Sequence, residues 1–421
     1  MKYTRIYHIL LFCAIGCLLL HAQSYRTDIF NPNIKTLRVI EADGDPLVRP
    51  VLNLNDDESL EISFDELSHD VHYYSYTVYH CNADWTLSDL TSSEYIQGFT
   101  TVDIDDYELS VNTTQTYTHY TFQVPNDDMR LTLSGNYVVC IYEDGDKYNP
   151  IAQVCFSIVE QRCGIDAAAT GNTDIELNGR YQQLNIELNF NERITDSRNE
   201  IKLLVKQNNR TDNQAFDVKP NFIENTSLKY LNNKNLIFEG GYEYRRFDIS
   251  SVYLLGEGVD DIKYDNTYYQ AFLDVPVNNL GRAYSTEFDV NGQFAINVEN
   301  SDYDDTEADY MWVHFFLPME KPFFDGLMYV GGDFNFNLMD ERSRMNYDFE
   351  NKCYTYSAFL KQGGYNYQYW FLKKGTQKAT LMRTENSYWQ TGNEYAIYVY
   401  YRPFGQRYDA LIGFSSFVSN Q

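Results

Sequence analysis

Apolar and polar residues alternate with a period of two along most of the chain, the spacing of a half-buried strand. The cleanest case is Leu184-Asn185-Ile186-Glu187-Leu188-Asn189-Phe190. In His72-Tyr73-Tyr74-Ser75-Tyr76-Thr77-Val78-Tyr79 the alternation sets His72, Tyr74, Tyr76 and Val78 on one face and Tyr73, Ser75, Thr77 and Tyr79 on the other. Further strands are predicted over 36–41, 59–64, 116–124, 135–142 and 152–159, then over 200–207 and 268–274. A last group covers 312–317, 326–330, 353–360, 367–372, 394–401 and 410–418. Long amphipathic helical stretches are absent from the pattern. The fold class is therefore all-β, a tandem of immunoglobulin-like or early-set-like β-sandwiches. The expected division is 23–160, 161–300 and 301–421, with the acidic stretch Asp302 to Asp309 as a linker or exposed loop.

Residues 1–22 carry the pattern of a secretory leader that is cleaved. Lys2 and Arg5 form a positive start, Ile9 to Leu20 is a twelve-residue apolar run, and Ala22 precedes a cleavage point at Gln23. The run is too short for a span, which takes about 20 apolar residues. Ala14-Ile15-Gly16-Cys17 imitates a lipoprotein box, but three leucines follow the cysteine. The expected product is exported and has no transmembrane span of its own.

Composition narrows the function classes. With 38 Tyr and 26 Phe, the 421 residues are too aromatic for a disordered chain. Lys and Arg total 33 against 60 Asp and Glu, a net charge of −27. Without Lys2 and Arg5 the balance is 31 against 60, or −29. Each phosphate contact needs a cation, so no nucleic acid is expected as a partner. Any docking face on a partner is expected to be basic.

Five cysteines follow the leader: Cys81, Cys140, Cys155, Cys163 and Cys353. An odd number leaves at least one outside any intramolecular disulfide. A Cys140–Cys155 pair across a hairpin, a Cys81–Cys140 staple, and buried free thiols all remain open. His69, His72, His80 and Cys81 lie close in sequence, but His72 and His80 are about 26 Å apart on an extended strand, so strand-end or surface histidines are expected. The acidic runs at 56–58, 103–106 and 302–307 lack the EF-hand pattern and are expected to be solvated loops. No G-x-S-x-G, H-E-x-x-H, CxxC or GK[ST] loop occurs. No catalytic residue, cofactor or metal ligand is therefore expected, and no binding residue is assigned. Trp85, Tyr107, Tyr120 and Tyr137 are expected in the first core, while Arg402 and Arg407 are candidate surface contacts in a terminal hairpin.

The third segment resembles an early-set sandwich of the glycogen-binding type. The likeness rests on Met328-Tyr329-Val330-Gly331-Gly332-Asp333-Phe334-Asn335 and on Leu360-Lys361-Gln362-Gly363-Gly364-Tyr365-Asn366-Tyr367-Gln368-Tyr369. The aromatic residue that such domains carry beyond the first element is missing, since Phe336 and Asn337 stand there without a Trp. Over roughly 25–421 the chain resembles the Plug protein family of the type IX secretion system. The matching residues are His80-Cys81-Asn82-Ala83-Asp84-Trp85 with Ser88 and Leu90, and Glu94-Tyr95-Ile96-Gln97-Gly98-Phe99. They continue with Asp106-Tyr107, Ser110, Asn112, Thr113, Tyr117-Thr118-His119-Tyr120 and Ser134-Gly135-Asn136-Tyr137. The remainder are Lys206-Gln207-Asn208, Gly240-Gly241-Tyr242-Glu243-Tyr244-Arg245 and Tyr401-Arg402-Pro403-Phe404-Gly405. The resemblance implies a periplasmic, non-enzymatic accessory protein, peripheral to the outer membrane. Its implied partner is the outer-membrane translocon barrel, whose pore it plugs when idle. The alternative is an exported glycan-binding β-sandwich protein.

Overall fold

A computed structural model describes residues 24–42, 51–191 and 193–420. The leader read at residues 1–22 lies outside them. Nearly all regular structure is strand, and among the described residues no helix is long and apolar enough to cross a membrane.

The first sandwich faces two sheets. One orders Asp28–Ile29, Ala152–Val159, Gly135–Glu143, Tyr74–Cys81 and Val102–Ile104; the other orders Ile34–Glu41, Leu60–Glu66, Thr118–Val124 and Asp106–Leu109. Tyr74, Tyr76 and Val78 point into the core between them, with Phe64, Tyr120, Tyr137 and Val139. The expected alternation thus holds in Tyr74–Cys81. Trp85 is half-buried and packs outside this core, and Tyr107, expected inside, is 44% exposed on the edge strand Asp106–Leu109. An edge strand has a neighbour on one side only, so its outward ring stays in water.

The second sandwich pairs Cys163–Thr170, Tyr181–Phe190, Ser227–Tyr230, Phe222–Ile223 and Ile237–Glu239 in one sheet. Its facing sheet orders Ala215–Val218, Ile201–Gln207, Glu394–Tyr401 and Ala410–Val418. The last two strands, grouped by sequence with 301–421, pair here with Ile201–Gln207, from Ile201↔Tyr401 to Gln207↔Tyr395. Tyr395, Ile397, Val399 and Ile412 complete the core with Leu184, Ile186, Leu188 and Leu203. The physical reason is coverage: two local strands cannot shield a five-stranded sheet, and Ile201–Gln207 is buried on both faces, as a central strand must be.

Between these halves the third sandwich is built from strands between Arg245 and Lys373. Arg245–Asp248, Phe294–Ile296 and Gly326–Gly331 all pair with Gly363–Lys373. The facing sheet orders Val259–Tyr264, Tyr269–Leu273, Tyr310–Pro318, Cys353–Lys361 and Asn346–Asp348. Strands therefore pair across the boundary expected at 300/301. The two early-set-like stretches are adjacent antiparallel strands, with Gly331 opposite Gln368.

The first and third sandwiches meet at a buried carboxylate. Asp65 is fully buried; it accepts from Lys361 Nζ at 2.7 Å and from Tyr310 OH at 2.6 Å, and His119 Nδ1 lies 2.6 Å away. Thr36 Oγ1 is 2.5 Å from the Tyr310 hydroxyl, Arg38 pairs with Asp305, and Asp309 accepts the Thr114 and Gln115 amides at 2.8 and 3.1 Å. The acidic stretch expected as a linker or solvated loop is thus partly interface, with Asp304–Glu307 forming a helical turn and Ala308 fully buried. Burial alone would raise the Asp65 carboxyl, but Lys361 and His119 hold it below the usual carboxylate range. At Lys361 the balance is opposite: loss of water, with Arg38 nearby, lowers the ammonium despite Asp65. The carboxylate has more donors than the ammonium has acceptors, so the Asp65 direction governs the acid limb. A lowered acid contributes stability above its unfolded value of about 3.9 and loses it as pH falls further.

Replacing Lys361 with Met strands a buried anion and is expected to cost about 3–5 kcal/mol in urea unfolding. The double change Asp65→Leu, Lys361→Met should recover much of that loss. A single-variant cost below about 1 kcal/mol would contradict a buried pair.

Candidate functional site

The family-like motifs fall at the contacts between sandwiches. Strand Tyr74–Cys81 ends in a tight turn where Trp85 N donates to Asn82 O at 2.9 Å and Trp85 takes a left-handed φ of 64°. Asn82 Nδ2 reaches Thr86 Oγ1 at 3.2 Å and Leu87 O at 3.1 Å, and Arg402 donates to Asn82 Oδ1. The turn exposes the Ala83 amide to Asp409 Oδ2 at 3.0 Å. Asp409 is fully buried, and both Lys202 Nζ (2.9 Å) and Arg402 Nε (2.8 Å) face it. Arg407 pairs with Glu94 and donates to Asp89 O at 3.0 Å. Arg402 and Arg407, candidate surface contacts from the sequence, thus also bond within the chain and clamp the Tyr401–Tyr408 hairpin to the first sandwich, Arg407 remaining half exposed.

Asn136 locks the same joint. Its Nδ2 donates to Asn82 O at 3.0 Å, while its Oδ1 accepts from Ser157 Oγ at 2.8 Å and Tyr400 OH at 2.9 Å. Beside it Gly135 has φ +142°, and a Cβ there would lie 2.5 Å from His80 Nε2. His80 lies at the end of its strand, one of the two expected places, and is buried there. Its ring nitrogens sit 3.0 Å from Ser88 Oγ and 3.2 Å from Ser134 O, among the rings of Tyr95, Tyr137 and Tyr408. Burial pushes its pKa down to about 4, so it is neutral at pH 7. The other described histidines serve separate partners: His69 approaches Ser110 O, His72 Glu66, His119 Asp65, and His314 both Ser357 and Gln270. Among the described residues no group of three His, Cys, Asp or Glu could hold a metal ion.

The cysteine alternatives are decided by register. Cys140 stands opposite Gln153, Cys155 opposite Val138 and Cys81 opposite Asn136, so neither proposed staple joins opposed residues. All five described cysteines are free thiols, and burial raises Cys81 to about 12 and Cys140 to about 11. Such thiols are poor nucleophiles.

A third contact joins the second and third sandwiches through Gly240–Arg245. Gly240 passes so close to the backbone at Tyr388 that a Cβ would sit 2.0 Å from its carbonyl oxygen. Arg245 grips Glu385 in a fork at 2.6 and 2.8 Å, and Arg210 lies 3.5 Å over the Trp370 ring. Glu243 accepts from Tyr284 OH, and from Gly392 N at 3.3 Å; burial, with Asp289 nearby, pushes its carboxyl up to about 7. On the outer face of the third sandwich, Phe272 stacks on His314 at 4.7 Å and on Phe316 at 6.5 Å, with interplanar angles of 23° and 15°.

A family model described as "Type 9 secretion system plug protein 1st domain" matches residues 34–160, the first sandwich. A crystal structure of a hypothetical protein from Parabacteroides merdae ATCC 43184 is similar along almost the whole chain. It is 40% identical, covers 94% of this chain and 100% of its own, and superposes with a TM-score of 0.92. The chain belongs to the type IX secretion system plug protein family. No curated protein matches. Plug-family membership gives the chain a role connected with type IX secretion. Sequence reasoning missed Asp65, Lys361, Asp409 and Glu243 as joint residues; the only signal was a charge set within or beside an apolar strand.

Two outcomes follow from these joints. Gly135→Ala should destabilise the fold by about 1–3 kcal/mol, because the methyl group meets a packed imidazole and the backbone is left-handed. Glu243 has a folded pKa above its unfolded one, so its contribution is complete below about 4.5 and is lost as pH rises through about 7. The melting temperature should therefore fall between pH 5 and 8, and Glu243→Gln should flatten that decline. Parallel curves for the two proteins would contradict a buried neutral Glu243.

Proposed function

We propose that this chain is a non-enzymatic periplasmic stopper, peripheral to the outer membrane. It docks on the periplasmic mouth of the type IX translocon barrel and fills the pore when no cargo is passing. The match of the first sandwich to the plug-domain model carries this reading. The physical form supports it: a stopper must not deform under solute pressure, and the buried Asp65–Lys361 pair and the Ala83 amide on Asp409 tie these sandwiches together. A specific interface of about 1,200–2,000 Å² is modest beside the 21417 Å² of accessible surface. The net charge of −27 favours a basic docking face and an association rate that falls with salt. Among the described residues the helical turns are four residues or shorter, and no helix is long and apolar enough to cross a membrane.

Cells lacking the chain are expected to admit a hydrophilic antibiotic too large for ordinary porins, and a tagged chain should co-purify with the barrel. A deletion strain with unchanged resistance, together with a barrel that never retains the chain, would overturn the reading.

A further inference from the structure

Large apolar side chains exposed in isolation are ordinary on a protein surface, and a contiguous run of them is not. Tyr253, Leu254 and Leu255 are 88%, 60% and 58% exposed, the one run of three consecutive exposed large hydrophobics among the described residues. Together they leave on the order of 300 Å² of apolar side chain in water, the scale of the largest patch on a typical monomer.

The loop that carries them is held in shape. Its ends are tied by Asp248 N to Glu257 O at 2.9 Å, and Ile249, fully buried, donates to Gly363 O at 2.9 Å. Ser250 O accepts from Gln362 Nε2 at 2.9 Å and from Glu299 N at 3.0 Å. Ser251 Oγ accepts both the Tyr253 and Leu254 amides, at 3.3 and 3.2 Å. Gly256 makes the return possible, since a Cβ there would lie 2.2 Å from Asp248 O. Val252 packs on the core of the third sandwich while the next three residues project. An apolar tip on a pinned base loses little conformational freedom on binding, which is the property of an anchor.

The surroundings of the tip are acidic. Asp248, Glu257 and Asp260 flank it along the chain, and Glu299 is bonded to the loop base. The nearby cation Arg246 is paired with Glu257 at 2.8 Å. An apolar centre edged by carboxylates complements an apolar pocket edged by Lys or Arg, and it disfavours an anionic lipid surface.

We infer that Tyr253-Leu254-Leu255 is the anchor by which the chain seats itself in a basic-rimmed apolar pocket on the periplasmic mouth of the translocon. This inference rests on the plug reading and adds the face that makes the contact. The test immobilises detergent-solubilised translocon and titrates the full chain, Leu254→Ser/Leu255→Ser, and Phe404→Ser. Phe404 is 100% exposed on the hairpin of the second sandwich and serves as the control. The double variant should bind at least tenfold more weakly with an unchanged melting curve, Phe404→Ser should bind within twofold of the parent, and the parent's association should slow as salt rises. Equal binding by the parent and the double variant would overturn the anchor while leaving the plug reading in place. No retention of the parent at all would overturn both. Flotation of the parent, but not the double variant, with vesicles of phosphatidylethanolamine and phosphatidylglycerol would assign the tip to lipid and overturn the proposed partner.

Discussion

A carboxylate removed from water and answered by groups from another sandwich is the constraint on which this architecture depends. Asp65 of the first sandwich has Lys361 and Tyr310 of the third within 2.7 Å. Asp409 of the second sandwich takes the Ala83 amide of the first. Parting the first and third sandwiches takes Asp65 from Lys361 and Tyr310, whereas parting the first and second costs Asp409 only the Ala83 amide, since Lys202 and Arg402 lie on its own sandwich. Whole domains are stable by only about 5–15 kcal/mol, so a few kcal/mol of polar contacts at a joint restrains hinge motion. The joints therefore favour one geometry.

That constraint also gives the family-like motifs a physical meaning. His80-Cys81-Asn82-Ala83-Asp84-Trp85 forms a turn that offers one amide and one carboxamide to the terminal hairpin. Gly135-Asn136-Tyr137 passes beneath it where a side chain at 135 would strike His80, and the Asn136 carboxamide closes the gap between Asn82, Ser157 and Tyr400. None of these groups forms a nucleophile and base, and the neutral His80 has both ring nitrogens engaged. Their chemistry is that of fixing distances, which suits a protein that works by shape.

Local structure was legible in the sequence and long-range pairing was not. The strands predicted at 152–159, 394–401 and 410–418 are found with those limits, because a period-two pattern reports directly on which side chains face a core. Where Glu394–Tyr401 and Ala410–Val418 go was not legible: their alternation fits any sheet with a free edge, and the strand they extend, Ile201–Gln207, lies far earlier in the chain. Asp302–Asp309 read as solvent-exposed because its partners Arg38, Thr114 and Gln115 lie nearly two hundred residues or more away. The hints that did exist were charges in apolar settings, Asp65 after Ser63-Phe64 and Lys361 after Phe359-Leu360, since such charges need a buried partner. The exposed Tyr253-Leu254-Leu255 carried no sequence signal, because an apolar triplet ordinarily reads as core.

The central claim is that a rigid, acidic stack of sandwiches closes a wide pore by occupying it. The most direct measurement is the conductance of the purified translocon barrel in a planar lipid bilayer, recorded before and after the full chain is added on the periplasmic side. The account predicts a large open-state current that drops in discrete steps as single stoppers seat, with slower closure in high salt. A current that is unchanged by saturating amounts of the folded chain would contradict it.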